Sequence, residues 1–345
     1  MAIINGNDNA NAIQGTAADD IINGLGGDDA LHGLGGADDL YGGSGKDFLE
    51  GGAGADRLSG GTGIDTADYN GAAGVKVIIG GAVCSGGDAE GDLVSIDVEN
   101  IRGTAGFSDW LIGSGLANVL EGYGGQDRLE GLGSSDTLNG GSGDDLLIGG
   151  SGADALAGGT GLDTADYSGS VAGVTVDLVA GTGSGGEAQG DTLSGIETLF
   201  GSQGNDSLKG DAGANTLQGL GGADTLAGGL GKDALSGGAG ADRFAFTAVG
   251  DSVVGANADV VTDFSHAQAD KIDLTATDAD IAVAGDQAFS FIGTALYTGV
   301  AGQLRYAFTA PGVTTIAGDV NGDGSSDFHI QLTGVVNLVA SDFVL

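Results

Sequence analysis

From Gly42 the segments GGSGKDFLE, GGAGADRLS and GGTGIDTAD follow one another without a gap. Each has glycine at positions one, two and four, aspartate at position six and a small or aliphatic residue at position eight. The same nine-residue period runs backwards through units starting at Gly33, Gly24 and Gly15, which keep Asp38, Asp29 and Asp20, to one starting at Gly6 that carries Asn11 instead. A second array, from about Thr104 to Asp166, puts Asp109, Asn118, Asp127, Asp136, Asp145, Asp154 and Asp163 at position six. A third, from Gly201, puts Asp206, Asn215, Asp224, Asp233 and Asp242 there. Nine residues cannot enclose a core, so a chain of this period must stack its units into a solenoid.

Composition removes the main competitors. Collagen needs glycine at every third position and abundant proline, whereas this chain of 345 residues has 74 glycines and one proline. Disorder needs few apolar residues, and 41% are hydrophobic. A formal charge of −38 excludes nucleic acid as a partner and sets up self-repulsion that cations would relieve. Cys84 is the only cysteine, which rules out an internal disulfide framework and reads as a small buried apolar residue. The N-terminal MAIINGNDNANAIQ lacks the basic and apolar regions of a cleavable signal peptide, and no stretch is apolar for long enough to form a transmembrane segment.

Between the arrays lie two related interruptions. GTGIDTADYNG leads to SGGDAEGDLVSIDVENI, and 98 residues later GTGLDTADYSG leads to SGGEAQGDTLSGIETL. Their β-branched runs, Val75 to Ile79 and Val174 to Leu178, predict strands that extend the solenoid's edge.

The spacing selects calcium. This hard cation takes six to eight oxygen ligands, mixing carboxylates with backbone carbonyls, and each unit offers both. Glycines at positions one, two and four allow positive φ and inward-turned carbonyls, as at Gly42, Gly43, Gly45, Gly51, Gly52 and Gly54 in the first array. Gly140, Gly141, Gly143, Gly149, Gly150 and Gly152 repeat this in the second, and Gly228, Gly229, Gly231, Gly237, Gly238 and Gly240 in the third. The candidate carboxylate ligands are Asp20, Asp29, Asp38, Asp47, Asp56 and Asp65, then Asp109, Asp127, Asp136, Asp145, Asp154 and Asp163, then Asp206, Asp224, Asp233 and Asp242. A short strand follows each, with position eight (Leu31, Leu40, Leu49, Leu58) facing inward. One large apolar side chain per nine residues is too little to order a glycine-rich backbone, so metal ligation must supply the rest. These units resemble the GGxGxDxUx nonapeptides of RTX proteins, which implies a parallel β-roll holding multiple Ca²⁺ ions, about 13 by family geometry. Asn11, Asn118 and Asn215 lack the anionic ligand and are expected to be weak sites or caps.

From about Phe244 the period stops and aromatics enter, in FAF, DFSHAQADKIDL, FSFIG, GQLRYAF, GDVNGDGSSDFHIQL and the terminal SDFVL. This order resembles the C-terminal secretion domain of serralysin-like proteins. The resemblance implies that Asp263 and Asp270 lie in a calcium-ligating turn and that Asp342 to Leu345 form the signal read by a type I secretion exporter. Asp319, Asn321, Asp323 and Gly324 open an EF-hand-like loop, but Ile330 stands where the bidentate glutamate belongs, leaving either a calcium loop or a structural turn.

No HExxH zinc motif occurs, since none of His32, His266 and His329 starts one, and no GxSxG elbow occurs; His32 and His329 read as surface or packed residues. The expectation is an all-β, non-enzymatic, secreted extracellular protein. Its layout is a first RTX array (1–68), an interrupting β segment (69–103), a second array (104–166), an interruption (167–200), a third array (201–245) and a β-rich secretion domain (246–345). Its role is expected to be a calcium-folded structural or self-assembling component of a surface layer, matrix or filament, with a homo-oligomer or a surface polysaccharide as partner. The alternative is an accessory module of a secreted protease or polysaccharide-modifying enzyme.

Overall fold

The computed structural model describes residues 1–71 and 73–345, and among them the protein is all-β, with four three-residue 3-10 turns as its only helical pieces. None is long and apolar enough to cross a membrane. The chain forms two compact units, Met1–Asp166 with Ala188–Ile196, and Tyr167–Glu187 with Glu197–Leu345.

In the first unit each nonapeptide makes one turn and one strand, so two nonapeptides complete a coil and every strand pairs in parallel with the strand two units on. Ile21–Gly26, Asp39–Gly45 and Arg57–Gly63 stack into one sheet, while Ala12–Gln14, Ala30–Gly35 and Phe48–Ala53 stack into the opposite one. The registers Leu31↔Leu49 and Leu40↔Leu58 put position eight in a continuous ladder, and those four leucines are at most 1% exposed. The second array repeats the pattern, with Leu129↔Leu147 on one sheet and Leu138↔Leu156 on the other.

The first interruption supplies strands to the same sheets. Lys76–Ile78 pairs with Trp110–Ser114, Leu93–Val94 with Arg57–Gly63, and Asn100–Arg102 with both Thr66–Asp68 and Val119–Glu121. Cys84 is buried there, as its sequence reading required.

In the second unit, Thr175–Asp177 pairs with Ser207–Lys209 and forms a hairpin with Thr182–Ser184. The third array stacks as the others do, with Leu217↔Leu235 and Leu208↔Leu226. Asp259–Val261 and Lys271–Asp273 then continue its two sheets without any glycine-rich turn. Beyond them Gln303–Ala310, Val313–Asp319 and Phe328–Thr333 form an antiparallel sheet, packed through Phe289 against Phe328 and Phe291 against Phe343.

Candidate metal centres

The position-six carboxylates line the inside of the turns, and in the stacked turns one oxygen has a fixed partner. The backbone N–H of Asp29 donates to Asp47 Oδ1 at 2.9 Å, and that of Asp47 to Asp65 Oδ1 at 2.8 Å. The second array repeats this from Asp127 to Asp145 and from Asp145 to Asp163, each at 2.8 Å, and the third from Asp206 to Asp224 and from Asp224 to Asp242.

The other oxygen has none. Oδ2 of Asp29, Asp38, Asp47, Asp56, Asp65, Asp127, Asp136, Asp145, Asp154, Asp224, Asp233 and Asp242 is buried without a hydrogen-bond donor. Burial pushes the carboxyls of Asp56, Asp65 and Asp233 up to about 6, and those of Asp127, Asp136 and Asp224 to about 7, against the backbone hydrogen bonds that pull them down. A buried carboxylate oxygen with no donor is costly unless a cation takes the donor's place.

The glycines have two different reasons to be there. Position two holds positive φ, as at Gly43 (113°), and position four does at Gly45 (142°), Gly54, Gly143, Gly231 and Gly240 but, contrary to the expectation from sequence, not at Gly152. Position one does not, contrary to the expectation from sequence: Gly42, Gly51, Gly140, Gly149, Gly228 and Gly237 are absent from the left-handed region, and a Cβ on any of them would strike Oδ2 of its own unit's aspartate. The first glycine therefore makes room for the carboxylate. Among the described residues no three His, Cys, Asp or Glu side chains converge on a point, so carbonyls must complete any coordination sphere. A set of carboxylate and carbonyl oxygens with no nitrogen or sulfur suits calcium.

Three predicted ligands are arranged differently. Asp20 Oδ2 accepts from the Thr16 N–H and hydroxyl, Asp109 Oδ2 from those of Thr104, and Asp206 Oδ2 from the Ser202 N–H. Their Oδ1 atoms accept from the amides of Ala2, Val75 and Val174. Asn11, Asn118 and Asn215 likewise accept from the amides of Asn7, Ser114 and Asp211. Asp270 accepts from the amides of Asp242 and Ser265, and Asp263 from those of Gly237 and Gly238, so the two close the last turn. In the Asp319 loop, Asp319 accepts from the amides of Gly322 and Gly324.

Sequence reasoning missed Asp92, Asp191 and Asp259. Asp92 Oδ1 accepts from the Asp56 amide and Asp191 Oδ1 from the Asp154 amide, which are the roles of the next position-six residue after an interruption. The signal was present in EGDLV and QGDTL, each an acid followed two residues later by an aliphatic, the back half of a repeat without its glycine front half.

Two family models agree with this geometry. Residues 135–345, more than half of the chain, match the family model described as peptidase M10 serralysin C terminal. Residues 5–40, 32–67 and 103–138 match that of the RTX calcium-binding nonapeptide repeat. Among solved structures the chain is similar to a subunit of the Azotobacter vinelandii mannuronan C5-epimerase, at 32% identity over 43% of this chain and 76% of that one, with a TM-score of 0.32. No curated protein matches.

Proposed function

We propose, from the premise that this chain belongs to the peptidase M10 serralysin C-terminal family and is a secreted, calcium-binding RTX protein, that it serves as a calcium-stiffened structural component outside the cell, in a surface layer, matrix or filament. The row of buried carboxylate oxygens without donors carries the reading. Each marks a place where the folded turn is incomplete until a cation enters, so the fold depends on external calcium. Binding that occurs only in the folded state adds RT ln(1 + [Ca²⁺]/Kd) per site, and stacking makes the sites act together.

The bound ions would supply positive charge between stacked turns, while this chain's own residues position oxygens. The Asp29 and Asp38 amides fix the carboxylate rotamers of Asp47 and Asp56, and Gly42 and Gly51 leave the space those carboxylates occupy. In the low calcium of a cytosol the arrays stay expanded, which suits passage through a type I exporter reading Asp342 to Leu345. Deleting the last ~50 residues should then trap the protein inside exporter-bearing cells, and normal secretion of that truncation would refute the export route.

Self-association on adding calcium, followed by light scattering and electron microscopy at several concentrations, tests the structural role. A second reading, an accessory module that accompanies an enzyme, draws support from the family description, which names the C-terminal part of a peptidase. Specific binding to a polysaccharide or protein partner without ordered self-association would favour it.

A further inference from the structure

We propose that the residue leading into each turn selects which buried acids bind calcium, and that by this selection Asp259, which follows no glycine-rich nonapeptide, is a ligand while Asp20, Asp109 and Asp206 are not. The inference rests on the calcium reading above and assigns its sites.

The selecting residue stands four positions before the acid. When it has positive φ, its N–H is turned away and the acid's Oδ2 is left without a donor. This holds for Leu25 (80°) before Asp29, Leu34 (78°) before Asp38, Tyr123 (68°) before Asp127, Leu132 (77°) before Asp136 and Leu220 (72°) before Asp224. The glycines at this place, such as Gly43 before Asp47 and Gly238 before Asp242, behave the same way. When the residue lies outside that region, its N–H donates to the carboxylate and fills the position a cation would need. Thr16 does so for Asp20 at 2.8 Å and Ser202 for Asp206 at 2.6 Å, while Thr104, displaced by one inserted residue, does so for Asp109 at 2.6 Å. The capped turns are the first two of each array, so the stacks begin on turns closed by hydrogen bonds.

Asp259 obeys the rule without the motif. Four residues earlier Gly255 has φ 97°, and its N–H donates to His329 Nδ1 at 3.2 Å instead of to the acid. Asp259 is fully buried, its Oδ1 accepts from the Asp233 N–H at 3.0 Å, and its Oδ2 has no donor. It thus follows Asn215 and Asp233 as the next acid of that stack, and the Oδ2 atoms of Asp233 and Asp259 are the ligand oxygens a calcium ion would find there.

Native mass spectrometry of the full chain at saturating calcium counts the ions, with circular dichroism as the folding control. Asn already occupies position six at Asn11, Asn118 and Asn215, so aspartate-to-asparagine changes suit the fold. Asp259→Asn should bind one ion fewer than wild type, whereas Asp20→Asn, Asp109→Asn and Asp206→Asn should each keep the full count. An unchanged count for Asp259→Asn, or a lost ion in any of the other three, overturns the rule. Should Asp259→Asn fail to fold in calcium, the three array-start variants decide alone. Wild-type protein that binds no calcium would instead remove the calcium reading itself.

Discussion

Leu49 in the first array and Ile316 in the antiparallel C-terminal sheet are both fully buried, yet their surroundings share little. Leu49 sits in a single file of aliphatics between turns lined by Asp47 and Asp56, whose Oδ2 atoms have no donors. Ile316 lies in a sheet where Leu304, Phe328, Ile330 and Leu332 are all buried and Phe328 meets Phe289 edge-on at 5.7 Å. The one region is a stack of charge and backbone with a thread of hydrocarbon, and the other is an ordinary hydrophobic core. Apolar burial near room temperature requires no ligand, whereas an unpaired buried carboxylate requires a counter-charge. The two regions should therefore respond to different perturbations.

Calcium removal gives the largest contrast. With chelator the arrays should lose most of their far-UV β signal and the hydrodynamic radius should rise, reversibly, while amide exchange stays slowest within 303–333. Arrays as protected as the C-terminal sheet without calcium would erase the distinction.

Substitution comes next. Replacing Asp145, Asp154 and Asp163 together with alanine should shift the calcium midpoint of folding to markedly higher concentration. Phe328→Ala should cost about 3–5 kcal/mol as a core truncation and leave the second array's calcium midpoint nearly unchanged. A midpoint unmoved by the triple change would contradict the ligand assignment.

Acid should partly replace calcium. In chelator, the metal-free turns hold the carboxyls of Asp56, Asp65, Asp127, Asp136, Asp224 and Asp233 up at about 6 to 7, above their unfolded values near 3.9. Protons therefore bind the folded form more tightly. That stabilisation is complete below about pH 4 and is lost as pH rises through 6 to 7. Circular dichroism of the chelated protein between pH 8 and pH 4 should show β structure returning on acidification, and a flat profile would count against it.

The smallest effect concerns turn backbone. Leu25 is half exposed at positive φ, where asparagine is better tolerated, so Leu25→Asn should stabilise the calcium-loaded protein by under about 1 kcal/mol. Thermal unfolding at fixed calcium measures it.

Much of this was legible in one dimension because a repeat writes its contacts into its period. Position eight had to be the ladder, and position six had to carry the acids, since every unit presents the same alternation to its neighbours. Calcium followed from the donor types alone, and the aromatic motifs after Phe244 marked where the repeats give way. What the period could not convey was anything depending on the turn two units away. Leucine is tolerated at 25 but glycine is required at 43, because Gly43 lies directly on the Leu25 backbone and a Cβ there would collide with it. Asp20 and Asp29 occupy the same motif position, yet one carboxylate is capped by its own turn and the other is left open, a difference set by backbone φ. Asp92, Asp191 and Asp259 belong to the ladders although no motif precedes them, because strand stacking brings each beneath the amide of an earlier acid. The residue types and their spacing determined the coil and its metal. Only the stacking decided which oxygens it leaves without donors, because a hydrogen bond between turns depends on where a neighbour's amide points.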